Sequence, residues 1–527
     1  MSDLHPARGG SALAGAVSEL YQEGQTDYWL EPIVLVDAHG TPVGRIQDGD
    51  AVVFCCRRGE REVQLTEAFV EPDFAHFPRR DFQDLLFVML TRYDYKFKDL
   101  PAAFAPPPVR NTVGQVIARA RLRQLRVAES DKFGHVTFFL NGGNQPFRDE
   151  EDICVPSPKG VPFDQVPELS LAQVAAQVLR GIEQRYDVII TNVANGDVIG
   201  HTRSREAKIR CAELVDMRLG QLVNAALAAD YVVLVTADHG VLEEMTSADG
   251  ATRGTHTTNP VPFLLVDPRA RSRIDVRNGK LADIAPTVLD ALGLEQPRAM
   301  RGTSLAPEHD WSGARRVLLV ILDGWGIGRQ DETNPIFLAQ TPVWDELMRH
   351  YPHSQLLAAG RAVGLRPGKA GNSEAGHMNI GAGRTVLQDD VRLDRAMKNG
   401  SFYTNAILCR AIDEVKRRKT SLHLIGLLSE DSSHGSIEYP LALLRMAKAS
   451  GLRDAYLHII LDGRSTEPGS APVMLENLER RLAEIGVGRV VSGIGRGLAL
   501  DRDSDYAKTK LAYDAFVFGI GKARCTH

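Results

Sequence analysis

Three short runs, Val188–Ile190, Tyr231–Thr236 and Val317–Leu322, consist almost wholly of aliphatic residues. Successive strand residues point to opposite faces, so a strand this apolar must be covered on both sides. That demand is met by a parallel sheet with helices on each face. The cladding helices are legible beside the strands. Leu171–Arg185 is amphipathic, and Glu206–Ala228 carries Ile209, Leu214, Leu219 and Leu222 at near-helical spacing. Leu281–Leu292 reads as a further helix, Gln115–Arg126 as a helix, and His135–Leu140 as a strand. After about residue 388 a second α/β pattern begins. Its strands are Leu422–Leu427, Tyr456–Leu461 and Arg489–Ser492, and its helices are Leu441–Ala449 and Val473–Ile485. Near the start lie a helix (Ala12–Tyr21) and two strands (Pro32–Asp37, Ala51–Cys56). Arg57, Arg58 and Arg61 follow, then a long irregular region ending at Pro106-Pro107-Pro108, which reads as a domain boundary. Ala306–Arg316 reads as a polar linker. A chain of 527 residues exceeds one ordinary core, so two or more domains are expected.

Bulk properties exclude several classes. A net charge of -5 makes no electrostatic case for nucleic acid. The apolar runs are too short to span a bilayer, and the first residues carry no apolar signal segment. Six scattered cysteines without a CxxC pair suit free thiols in a reducing cytosol.

Functional groups in α/β sheets gather at the carboxyl ends of strands. Asp323 follows one strand, Asp238-His239 follows Tyr231–Thr236, and Asp197 with His201 follows Val188–Asn192. His256 lies in GTHTTNP. Ser373 stands in the glycine-rich stretch KAGNSEAGHMNIGAGR, where the glycines are expected to let a substrate or metal come close. A serine hydroxyl needs a base or a metal to become a nucleophile. Carboxylates and imidazoles suit Mn²⁺ or Zn²⁺. They suffice for two ions: one on Asp197, His201 and His256, the other on Asp323, Asp238, His239 and the Ser373 oxygen. A second constellation is basic: Arg58, Arg61, Lys132, His434, Arg464, Arg496 and Arg502, most just after apolar strands, where they would hold a small polyanion. GIGRG at 493–497 lacks the helix start that a dinucleotide fingerprint requires.

These phrases resemble the cofactor-independent phosphoglycerate mutases of the alkaline phosphatase superfamily. The matching stretches are LDGWGIG (322–328), GNSEAGHMNIGAGR (371–384), LDGR (461–464), LALDRD (498–503), DGDAVVF (48–54), AESDKFGHVTFFLNGG (128–143), ANGDVIGHT (194–202), TADHG (236–240), HTTNPVPF (256–263) and LADIAPTVLDALGL (281–294). The resemblance implies an alkaline-phosphatase-like doubly wound sheet domain plus a second α/β transferase domain. The order is not the family's: LDGWG normally opens the protein and HTTNPVPF lies near its end. A circular permutation is therefore expected, with a transferase domain split over 1–106 and 388–527 around a metal-binding domain at 107–387. The resemblance further implies Ser373 as the phosphoserine nucleophile and Asp323, Ser373, Asp238, His239, Asp197, His201 and His256 as ligands of two divalent ions, Mn²⁺ first, with Zn²⁺ or Mg²⁺ as alternatives. It implies His434, Arg464, Arg496, Arg502, Arg58, Arg61 and Lys132 as the phosphoglycerate-binding set, and a cytoplasmic monomer acting on a small phosphorylated substrate.

The departures from the family concern the glycerate side. Its DGRD motif ends in an aspartate that can act as general base, and Ser465 stands there in this chain. Its SDGGVHSH reads SEDSSHGS, so Ser436 replaces the second histidine, and its NFRPDR reads CRRGER at 56–61. An intact metal set beside an altered acceptor set points to a transferase that moves a phosphoryl or phosphonyl group through Ser373 to a phosphoglycerate acceptor. The sharper form is phosphonoformyl transfer from a CMP-activated donor to 3-phosphoglycerate, as in phosphinothricin-type phosphonate antibiotic biosynthesis. The alternatives are a glycolytic phosphoglycerate mutase, a metal-dependent phosphatase and a non-catalytic binding protein.

Overall fold

The aliphatic run at 317–322 becomes the strand Arg316–Leu322, which pairs in parallel with Val188–Val193 on one side and Tyr231–Thr236 on the other. Its residues from Val317 to Leu322 are at most 1 % exposed. This is a computed structural model that describes residues 7–526 apart from 58, 107, 247–253, 270–274, 431 and 433. The chain forms two compact units: a continuous one, Pro107–Val391, and a split one, Met1–Pro106 with Arg392–His527. Both are mixed α/β.

The continuous unit holds an eight-stranded sheet in the order Glu150–Val155, Gln124–Glu129, Val188–Val193, Arg316–Leu322, Tyr231–Thr236, Val261–Val266, His353–Leu357 and Gly279–Lys280. Its first five strands are parallel, and Val261–Val266 runs antiparallel to both neighbours. The helix Leu171–Glu183 buries Leu171, Val174, Ala175, Val178 and Ile182, a single stripe at helical spacing. That stripe packs on the strands Gln124–Glu129 and Val188–Val193. Ser204 opens the helix Arg205–Ala228 by accepting the Ala207 backbone N–H at 3.1 Å.

The split unit holds a seven-stranded sheet in the order Ala523–Cys525, Ile33–Leu35, Arg489–Gly495, Ala455–Leu461, Leu422–Leu428, Ala51–Phe54 and Leu86–Met89. All neighbours are parallel except Ile33–Leu35 against Arg489–Gly495. Leu424 and Ile459 belong to one apolar cluster, Ile425 and Ile460 to another, so each face of the sheet has its own core.

Three local expectations fail. Gln115–Arg126 is a short helix, Val113–Arg119, followed by the strand Gln124–Glu129. The arginine-rich run favours helix by propensity, but pairing with two strands overrides it. His135–Leu140 is not a strand. The helix Ser130–Gly134 runs into a π-helical turn at His135–Phe139 that packs against the helix Ser373–Ala382. β-branched and aromatic residues suggested a strand there, and tertiary packing decided otherwise. The region before the proline run contains the helix Gly59–Val70 and the strand Leu86–Met89. Among the described residues no helix is long and apolar enough to cross a membrane.

Truncating Ile321, fully buried in the central strand, is expected to cost about 2–5 kcal/mol as Ile321→Ala. Urea unfolding followed in the continuous unit checks this, and a loss below about 1 kcal/mol would contradict the packing described.

Candidate metal centre

Three adjacent parallel strands end side by side, and each delivers side chains to one place. Asp323 directly follows Arg316–Leu322, while Asp238 and His239 follow Tyr231–Thr236. Asp197 lies on the short helix Asn195–Gly200 after Val188–Val193, and His201 caps that helix. Ser373 is the first residue of the helix Ser373–Ala382, which Asn372 caps by accepting the Ala375 backbone N–H at 2.9 Å. The glycines of this stretch admit protein backbone. A Cβ on Gly376 would lie 2.7 Å from the Asp238 carbonyl oxygen and 2.8 Å from its Cβ. The helix therefore presses directly on a residue of the cluster.

The polar atoms converge closely. Ser373 Oγ lies 3.0 Å from His239 Nε2 and donates to Asp323 Oδ1 at 3.2 Å. Lys132 Nζ donates to Ser373 Oγ at 2.6 Å, to Asp197 Oδ2 at 2.6 Å and to Asp323 Oδ1 at 3.0 Å. His201 and His256 approach Asp197 Oδ1 with Nε2 at 3.3 and 3.1 Å, and the two Nε2 atoms are 3.1 Å apart. Three ligand groupings result: Asp197–His201–His256, Asp197–His239–Asp323 and Asp238–Asp323–His377.

His377 is a residue that the sequence reading missed. It sits one helical turn after Ser373, so the two share a helix face. Its Nδ1 donates to the Ser373 carbonyl at 2.9 Å and lies 3.4 Å from Asp238 Oδ2. Its place in EAGHMNIG, four residues past the nucleophile candidate, was the available signal. Lys132, grouped from sequence with the basic residues, touches Ser373 and two carboxylates of the cluster.

The residues fit divalent cations. Asp197 Oδ1 and Asp238 Oδ2 are buried and accept no well-angled hydrogen bond. Buried carboxylate oxygens without donors are costly unless a cation meets them. His201 Nδ1 donates to the Gly254 carbonyl and His256 Nδ1 to the Gly371 carbonyl, each at 2.7 Å. Those bonds fix the tautomer and aim both Nε2 lone pairs at Asp197, the arrangement expected of metal-ligating histidines.

Charge is heavily perturbed here. Burial alone would lower Lys132, but Asp323, Asp197 and Asp238 outweigh it and hold the ammonium well above its ordinary range. Burial likewise opposes the charged form of His239, yet Asp238 with Asp323 and Asp197 raises it to about 9. For Asp197 and Asp238 burial pushes up, and the cations around them, Lys132 for the first and His239 for the second, win and hold both far below the carboxylate range. His135, beside this group, is pushed down to about 3 by burial, then by His377 and Lys132.

The basic set of the split unit is sorted differently. Arg496 is 1 % exposed and ion-paired with Asp462. Arg61 Nη1 donates to the Leu500 carbonyl at 2.9 Å. His434 Nδ1 lies 3.3 Å from Glu62 Oε1. Arg57, Glu62 and Arg496 all surround Cys56, whose thiol is pushed up by burial and then by Glu62, against the pull of Arg496 and Arg57. Arg464 and Arg502 are exposed, and Arg58 lies outside the described residues. Ser465 Oγ is 3.5 Å from Ser432 Oγ, so the two altered stretches meet.

Residues 33–296 match the family model described as "Metalloenzyme superfamily", and 393–527 match "BPG-independent PGAM N-terminus". The chain belongs to the Metalloenzyme superfamily. The matched stretch contains Asp197, His201, Asp238, His239 and His256. A 2,3-bisphosphoglycerate-independent phosphoglycerate mutase of Moorella thermoacetica is 44 % identical over 297 residues, 56 % of this chain and 57 % of that protein. One of Methanosarcina acetivorans is 42 % identical over 293 residues, 55 % of this chain and 56 % of that protein. The matching stretch thus spans little more than half the length of these relatives. A Leishmania mexicana phosphoglycerate mutase crystal structure, solved at low cobalt concentration, aligns with 29 % identity and a TM-score of 0.44 over 51 % of this chain and 53 % of that one.

For a superfamily site of this kind, ligating histidines must be neutral. Because His239 is raised to about 9 in the metal-free protein, uptake of a divalent ion at pH 7.5 is expected to release about one proton. Apparent affinity should then rise as pH increases toward 9. Calorimetry in buffers of different ionisation enthalpy measures this, and pH-independent uptake without proton release refutes it. Gly376→Ala, which pushes the Ser373 helix off Asp238, should weaken metal binding about 10–100-fold in the same titration.

Proposed function

We propose that this protein is a metal-dependent transferase that moves a phosphoryl or phosphonyl group through Ser373 to a phosphoglycerate acceptor. The observation that carries the reading is the setting of Ser373 Oγ, within hydrogen-bonding distance of Lys132, His239 and Asp323 at 2.6, 3.0 and 3.2 Å. Asp197, His201 and His256 would hold one divalent ion, and Asp238, His239, Asp323 and Ser373 Oγ a second, Mn²⁺ being the first choice. Bound ions supply positive charge that favours the serine alkoxide and offsets charge on the transferring group. Lys132 adds a fixed ammonium at the same oxygen, and the helix N-terminus at Ser373 favours negative charge there. His434, Arg464, Arg496, Arg502, Arg58 and Arg61 are assigned to holding the glycerate-type acceptor.

The acceptor side supports a specialised reaction. Ser465 and Ser432 face each other with hydroxyls, and neither can accept a proton near neutral pH. The sharper reading is phosphonoformyl transfer from a CMP-activated donor to 3-phosphoglycerate. The names of the relatives favour a second reading, phosphoglycerate mutase activity. We assign the chain order to a circular permutation, supported by a match to a model described as an N-terminus at 393–527, after the match at 33–296. A cytoplasmic monomer is assumed.

The test is incubation of Mn²⁺-loaded protein with 3-phosphoglycerate, alone and with a nucleotide-activated phosphonate donor. Turnover only with the donor supports the transferase, interconversion to 2-phosphoglycerate supports the mutase, and release of phosphate alone marks a hydrolase. Ser373→Ala should remove any covalent intermediate and lower turnover by at least about 1,000-fold. If that variant keeps its activity, Ser373 is not the nucleophile. Ser465→Asp should raise mutase turnover if this position diverts the reaction.

A further inference from the structure

Asn192 lies near the end of the strand Val188–Val193, opposite Ile321 in the register with Arg316–Leu322. An amide buried in so apolar a sheet is costly unless it is bonded. Asn192 and His377 are both 0 % exposed. Asn192 Nδ2 lies 2.6 Å from Asp323 Oδ2 and 3.1 Å from His377 Nε2. His377 Nδ1 lies 2.9 Å from the Ser373 carbonyl oxygen and 3.4 Å from Asp238 Oδ2. Donors and acceptors along this chain can be assigned from either end. A carbonyl oxygen only accepts, so His377 Nδ1 carries the hydrogen. An ionised carboxylate also only accepts, so the Asn192 amide turns its NH2 group toward Asp323. The second hydrogen of that group faces His377 Nε2, which must then offer a lone pair. The two deductions start from different atoms and give the same neutral tautomer.

We infer that Asn192 and His377 are paired positioning residues that tie Asp323 to the backbone of the Ser373 helix, and that His377 is not itself a metal ligand. This rests on the reading of Ser373 as a nucleophile beside a second divalent ion. By distance alone His377 completes a grouping with Asp238 and Asp323. A ligating imidazole needs a bare nitrogen lone pair aimed at the ion. Here Nδ1 bears the hydrogen, and the Nε2 lone pair is given to Asn192. The amide also divides the work of the Asp323 carboxylate. Its Oδ2 is anchored by Asn192, and its Oδ1 faces Ser373 Oγ at 3.2 Å, Lys132 Nζ at 3.0 Å and His239 Nε2 at 3.3 Å. Three hydrogen bonds through two side chains therefore run from the carbonyl of the nucleophile candidate to the carboxylate beside its hydroxyl. Outer partners of this kind orient the groups that meet a metal, and their loss weakens its binding.

The experiment has two arms on the full chain. Nitrogen-15 NMR of histidine-labelled protein reads the His377 tautomer, the signal being assigned by its loss in His377→Asn. The expected result is the Nδ1–H form in metal-free protein, retained after loading with Zn²⁺. An Nε2–H imidazole, or a His377 nitrogen bonded to zinc, overturns the inference without any stability argument. The second arm is calorimetric titration with Zn²⁺. The ion held by Asp197, His201 and His256 is identified by its loss in His201→Ala. Asn192→Leu should weaken the other ion about 10–100-fold and leave that one unchanged. Equal weakening of both ions marks a merely structural role and overturns the inference, as does unchanged affinity for both. His377→Asn, whose amide can still donate to the Ser373 carbonyl, should lose less affinity than His377→Leu. If the native protein binds a single ion, the two-ion reading fails while the tautomer still decides the pair.

Discussion

Three buried carboxylates, Asp197, Asp238 and Asp323, meet within one cluster, and their mutual repulsion is the constraint that organises the continuous unit. Like charges at such separations, away from water, are expensive, and every nearby group answers that cost. Lys132 places one ammonium against two of them, and His239 and His201 are raised because protonation helps to neutralise the rest. The convergence follows from topology. Parallel strands end on the same side, so residues after three adjacent strands cannot avoid one another. A divalent cation resolves with one particle what the imidazoles and the lysine resolve in pieces.

The split unit handles its charges by pairing them internally. Arg496 takes Asp462, Glu62 takes His434, and Arg57 is held by the Ser432 carbonyl at 2.5 Å and by Tyr439. Arg496 and His434, both in the set that sequence alone offers as a uniform anion cradle, thus each meet a buried carboxylate. Arginines that look equivalent in the sequence thus differ physically. Arg496 is buried and ion-paired, while Arg464 and Arg502 are exposed.

Much of this was legible beforehand. The strands at 188, 231 and 317 announce themselves because a doubly covered strand must be aliphatic throughout, and their ends then locate Asp197, Asp238, His239 and Asp323. Ser373 was marked by its glycines, although those at 371 and 376 admit neighbouring protein atoms, not only a ligand. What stayed hidden depended on contacts distant in sequence. Helix propensity in RARLRQLR lost to pairing with two strands, and HVTFF, with its strand-like composition, coils against the Ser373 helix. His377 offered only its place four residues past Ser373, because its approach to Asp238 depends on a residue distant in sequence.

The tight seat of the Ser373 helix on Asp238 has a consequence for how such a protein changes over time. With no room for even a methyl group at Gly376, a substitution there must displace the Ser373 helix and Asp238 from each other. Substitutions at that seat are therefore costly, whereas exposed positions such as Arg464 and Arg502 can change without disturbing it.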